Sequence, residues 1–175
     1  HKMTVAPLGV NVDDLSVTTR TRSEPFTIGY FARIAPEKGL HVLCEAYRRL
    51  RVMPGFPSSR LAVAGYLAPE HRGYFEGIQK QMASWGLAGH LDYVGAPDRA
   101  GKLAFLQTLS VLSVPSPRPT QKGQFLLEAM ASGVPVVQPR LGVFTEVVES
   151  TGGGILTDAG DIDALVQALL ALAED

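Results

Sequence analysis

One cysteine, Cys44, is all that 175 residues contain. An internal disulfide is therefore excluded, nothing marks an oxidising compartment, and a cytoplasmic location is the default expectation. Cys44 falls on an apolar helical stripe and reads as a core residue. The histidines are His1, His41, His71 and His90, scattered without paired spacing on one helix face and without cysteine partners, so no metal site is expected. No apolar run reaches the roughly 18–20 residues that span a bilayer, and the first residues lack a basic stretch followed by an apolar one. Neither a membrane span nor a signal peptide is expected. Charge of one sign is also missing. Sixteen basic against seventeen acidic residues give a net charge of -1, with no overall pull toward nucleic acid or an anionic membrane. Any anion must be bound by a local arrangement. Several catalytic signatures are absent as well: no Walker loop, no paired-histidine zinc helix and no nucleophile elbow, while Ser116 and Ser132 have no histidine nearby in sequence. The glycine-rich run T-G-G-G (151–154) lacks the G-x-G-x-x-G spacing of a dinucleotide loop and reads as a turn.

What is present suits a globular α/β core. Hydrophobic residues make up 46% of the chain and charged residues 19%. The length fits one domain over 1–175, since domains cluster at roughly 100–200 residues. F-T-I-G-Y-F (26–31), rich in aromatic and β-branched residues, predicts a strand. From 38 to 51, Leu40, Leu43, Cys44, Tyr47 and Leu50 recur at intervals of three and four, which predicts an amphipathic helix. The alternation continues with strands at 60–65, 90–95, 110–115, 134–137 and 154–156, and helices at 69–85, 98–108, 123–132 and 143–148. A last helix is capped by Asp161. Strands that alternate with helices and read as continuous apolar runs imply a Rossmann-like, doubly wound, mostly parallel sheet with helices on both faces. In such sheets ligands bind beyond the carboxyl ends of the strands, so the loops there are where chemistry is sought.

Three of those loops depart from their background. A-R-I-A-P-E-K-G (32–39) places Arg33 and Lys38 between a strand and a helix. A planar fork, a mobile cation and a helix N-terminus together suit an anion such as a phosphate. The alternative is that both are ordinary loop charges, paired with Glu37. The second segment runs from Pro115 to Val137. Its helix is apolar from Phe125 to Ala131 except at Glu128, which either accepts hydrogen bonds from a ligand's hydroxyl pair or satisfies a buried backbone group. Gly123 at its start would let backbone approach a phosphate closely. In the third, L-G-V-F-T-E (141–146), Glu146 either touches a sugar or holds the loop by a salt bridge.

In this order, these segments resemble the C-terminal domain of the retaining GT-B glycosyltransferases, the group that includes glycogen, sucrose and mannosyl transferases. The resemblance begins at V-A-P-L-G-V-N-V-D (5–13), continues through A-R-I-A-P-E-K-G and L-D-Y-V-G, and ends at G-G-G-I-L-T-D-A-G-D-I-D-A-L. It implies a transferase of the hexosyl type whose substrate is a nucleoside-diphosphate sugar, with no cofactor and no metal. Arg33 and Lys38 would bind the donor diphosphate and stabilise charge on the leaving group. Amides near Gly123 and Gln124 would join that cradle, Glu128 would bind the ribose hydroxyls, and the loop at Val94 and Gly95 would flank the base. The pattern departs at one place. The first acid of the family's paired-glutamate motif belongs eight positions before Glu128, where Thr120 stands, and no acid occurs from Pro115 to Leu127. Thr120 keeps a hydroxyl at the donor-sugar position but no charge, which leaves a catalytically degenerate nucleotide-binding or partner-binding module as the alternative. The resemblance also implies an acceptor-binding N-terminal domain outside this chain, so that the piece alone is expected to transfer no sugar.

Overall fold

The computed structural model describes residues 9–11, 24–120 and 122–174. Most of the opening segment 5–13 lies outside the described residues. Six strands form one sheet: β1 (Phe26–Phe31), β2 (Ser59–Ala64), β3 (Leu91–Tyr93), β4 (Val111–Ser113), β5 (Val136–Pro139) and β6 (Gly154–Thr157). Every pairing is parallel, in the order β3-β2-β1-β4-β5-β6. Six helices connect and flank them: α1 (Leu40–Arg51), α2 (Arg72–Ser84), α3 (Arg99–Gln107), α4 (Gln124–Ala131), α5 (Val143–Thr151) and α6 (Ile162–Glu174).

The apolar strands are explained by burial on both faces. Along β1 and β2, Ile28, Tyr30, Leu61 and Val63 face a core shared with α1, α2 and α6, while Ala62 and Ala64 face a second core shared with α3, α4 and α5. Alternate side chains of one strand thus enter two cores, which removes the polar face that a one-sided sheet would show. The strand order reverses between β1 and β4, and the crevice above that reversal is where an open α/β sheet receives its ligand. Among the described residues, no helix is long and apolar enough to cross a membrane.

Several boundaries differ from the sequence expectation, each for a local reason. The helix expected from 38 starts at Leu40, because Gly39 adopts φ 77° and ends a separate single turn, Pro36–Lys38. Lys38 therefore rides on that turn rather than on α1. The helix expected over 69–85 is likewise divided, a short turn at Pro69–His71 leading into α2. The strand expected at 90–95 is only Leu91–Tyr93, and Gly95 turns the chain at φ 78°. β4 stops at Ser113, short of Pro115, where the Val114 N–H donates 3.3 Å to Oε1 of Gln138. A side chain has replaced a strand there, and the sheet opens at its crevice edge. β5 begins two residues later than expected, since the Val134 N–H is spent on the Ala129 carbonyl that closes α4.

Candidate functional site

The turn after β1 is held from beneath. The Tyr30 hydroxyl, buried within the sheet, donates 3.0 Å to the Arg33 carbonyl, and the Ile34 N–H donates 2.9 Å to the Tyr66 carbonyl. The backbone is fixed while the Arg33 side chain, 60% exposed, lies 3.2 Å from Oε1 of Glu37. The pairing weighed in the sequence reading is thus present. The Glu37 carboxyl is held below the usual carboxylate range by its own backbone N–H, then by Arg33, His71 and Lys38, against an opposing effect of burial. Lys38, half-buried, has no ion-pair partner among the described residues. The helix end beside it is less open than the sequence suggested. The His41 N–H is taken by the Tyr74 hydroxyl at 3.2 Å, and those of Val42 and Leu43 bond the Gly39 carbonyl. Positive charge in this turn comes from its side chains.

The loop after β4 offers the complementary groups. The amides of Gly123 and Gln124, at the start of α4, have no hydrogen-bond partner among the described residues. Such amides are the free donors of a helix N-terminus. Gly123 packs tightly, since a Cβ would lie 3.0 Å from Cγ1 of Val143 and that side chain would have to give way slightly. Thr120 is half-buried, and its carbonyl accepts the Val143 N–H at 3.3 Å, tying this loop to the one after β5. Glu146 is exposed in the first turn of α5.

Glu128 has a partner that neither reading of it named. It is 8% exposed, and its Oε1 lies 2.5 Å from Nζ of Lys102 on α3. Its second oxygen, Oε2, has no partner among the described residues. The pair borders a cleft of about 120 Å³ lined by Arg99, Lys102 and Leu103 of α3 and by Gln124 and Glu128 of α4, with Val10 and Asn11 alongside. Val94 and Gly95 are not in that lining; they stand on the rim after β3, where Val94 is 49% exposed. Lys102 was missed, although a signal existed. It lies four residues before buried Leu106, so it projects from the inner stripe of α3 just as Glu128 does from α4. Two lone opposite charges on apolar helix faces call for each other.

The turn of Arg33 and Lys38 thus follows β1 and the segment with the free amides follows β4, the two strands between which the order reverses. A family model described as "Glycosyl transferases group 1" matches residues 12–175. The chain belongs to the group 1 glycosyltransferase family. Within it, the chain is 36% identical over 170 residues to a phosphatidyl-myo-inositol mannosyltransferase of Mycobacterium leprae, covering 95% of this chain and 43% of that protein. It is 30% identical to the lipopolysaccharide core biosynthesis mannosyltransferase LpsB of Rhizobium meliloti, covering 85% of this chain and 41% of that one. The chain therefore spans less than half the length of these relatives. Among solved structures, Anabaena Alr3699/HepE in complex with UDP and glucose superposes with a TM-score of 0.77 at 26% identity, over 86% of this chain and 39% of that one. The C-terminal domain of a group 1 family protein from Francisella tularensis superposes with a TM-score of 0.81 at 20% identity, over 95% of this chain and 89% of that domain. That second likeness speaks for the fold: this group 1 chain has the Rossmann-like architecture of a GT-B glycosyltransferase domain.

Proposed function

We propose that this group 1 domain binds a nucleoside-diphosphate sugar, gripping its diphosphate, so that the sugar passes with retention of configuration to an acceptor held by a further domain. The observation that carries the reading is topological: Arg33 and Lys38 follow β1, and the amides of Gly123 and Gln124, free among the described residues, lie on the segment that follows β4, the two strands between which the order reverses. Arg33 would exchange the Glu37 carboxylate for phosphate oxygens, and Lys38 has no ion-pair partner among the described residues to leave. As the bond to the sugar breaks, negative charge grows on the diphosphate, and cations placed there stabilise the transition state more than the bound donor. Such charge compensation needs no metal. Glu128 would present Oε2 to the ribose hydroxyls while Lys102 holds its other oxygen, and Val94 and Gly95 would stand beside the base. Support comes from the UDP complexes of the HepE relative.

Calorimetric titration of the chain with UDP, GDP and ADP tests this reading and selects the base. Each charge-assisted hydrogen bond is worth about 1.5–3 kcal/mol, so Arg33→Ala and Lys38→Ala are each expected to weaken the preferred diphosphate roughly ten- to a hundredfold. Unchanged affinity in both variants removes the phosphate assignment. Thr120 and the acid-free loop favour a second reading, a module that binds nucleotide or a partner protein without turnover. In a protein that includes the acceptor domain, sugar transfer from labelled donor sinks that alternative, and binding without transfer supports it.

A further inference from the structure

Ser116 stands where the turn after β1 meets the loop after β4, with 1% of its surface exposed. Its Oγ lies 2.9 Å from the Glu37 carbonyl and 2.8 Å from the Arg118 carbonyl, and it accepts the Arg118 N–H at 3.3 Å. A hydroxyl carries one proton, so these two carbonyls share a single donor. One belongs to the turn of Arg33 and Lys38. The other belongs to the loop that leads to Thr120 and to the amides of Gly123 and Gln124. Beside this hydroxyl, Gly39 packs on Pro115 so closely that a Cβ would overlap the Pro115 carbonyl. Among the described residues, no other hydrogen bond joins segment 32–39 to segment 114–123.

We propose that Ser116 is a latch: a positioning residue that holds the cationic turn and the amide-bearing loop at a fixed separation, so that the two halves of the anion cradle engage one diphosphate together. The inference rests on the phosphate reading above. A ligand reached from two separate segments binds tightly only when their spacing is set beforehand, since otherwise binding must order them. The interior of the sheet cannot set that spacing alone. Toward the crevice the β1–β4 register ends at Gly29–Leu112, so both segments extend beyond the last paired residues. The Ser116 hydroxyl bridges that unpaired stretch.

The test uses wild-type chain and Ser116→Ala with whichever of UDP, GDP or ADP the wild type binds, and with the matching free nucleoside followed by NMR titration. Diphosphate affinity is expected to fall about tenfold, as for loss of one hydrogen bond, with nucleoside affinity unchanged. Ser116→Thr, which restores a hydroxyl, should recover most of the loss. A purely structural serine would lower the melting temperature and leave the ratio of the two affinities as it was; that result overturns the latch. If Ser116→Ala does not fold, Ser116→Cys takes its place, and its weaker donor should give a smaller loss of the same ratio, an unchanged ratio again overturning the proposal. Failure of the wild type to bind any of the three diphosphates removes the phosphate reading itself. Binding by the wild type with an unaltered ratio in the variants removes only the latch.

Discussion

At Glu128 one carboxylate answers two demands. Burial at 8% exposure requires a partner, and Lys102 supplies it on one oxygen while the other has none among the described residues. Removing the cation leaves a buried charge uncompensated, so Lys102→Met is expected to cost about 1–3 kcal/mol in urea unfolding, and the double variant with Glu128→Gln should regain most of it. An unchanged urea midpoint in the single variant would show that the pair contributes nothing. Cys44 illustrates the opposite case. Burial pushes its thiol up to about 12. A raised acid contributes stability fully below its unfolded pKa of about 8.5 and loses it as pH rises toward the folded value, so stability should decline from about pH 9 upward. The same burial should leave the thiol unreactive to a disulfide reagent until urea unfolds the chain. Rapid labelling of the native protein would contradict the placement of Cys44 in the core.

At the scale of elements, helix starts and turns carry testable energies. Asp161 Oδ1 accepts the Ala164 N–H and Asp98 Oδ1 accepts the Gly101 N–H, each at 2.8 Å. Asp161→Ala should cost about 1 kcal/mol by loss of the cap, measured by thermal or urea unfolding. The cap at Asp161 could be read in advance, because an acid directly before a periodic apolar run has few other uses. So could β1, whose apolar run matches the observed strand. Boundaries governed by tertiary neighbours were not legible in this way. The early end of β4 depends on Gln138 from β5, and the division before α1 depends on Gly39 meeting Pro115, more than seventy residues away. Gly39→Ala combines a positive φ with that overlap. It is expected to destabilise the chain by more than the ~1 kcal/mol typical of an exposed Gly-to-Ala change at a strained angle, and to weaken diphosphate binding with it.

For the molecule as a whole, the consequence of gathering the site from loops after different strands is that binding reports on the entire fold. The two cores share one sheet, so a ligand that bridges the turn after β1 and the loop after β4 stabilises both. A diphosphate at a hundred times its dissociation constant adds about 2.7 kcal/mol, which for a chain of this size raises the melting temperature by roughly 5–10 °C. Absence of any shift at saturating ligand would mean that the bound site is not part of the folded state.

The amino-acid sequence by itself determined the alternation of strands and helices, the two-sided burial of the sheet and the placing of Arg33, Lys38, Gly123 and Gln124 on its carboxyl edge, because periodicity and chain order dictate these locally. Only the tertiary structure decided that Arg33 is held by Glu37, that Glu128 is neutralised by Lys102 and that Ser116 joins two distant turns. The latter two depend on distances across space between segments far apart in the chain, which spacing along it does not encode. The Arg33–Glu37 pair, four residues apart, was weighed in the sequence and needed the fold to show that the two side chains meet.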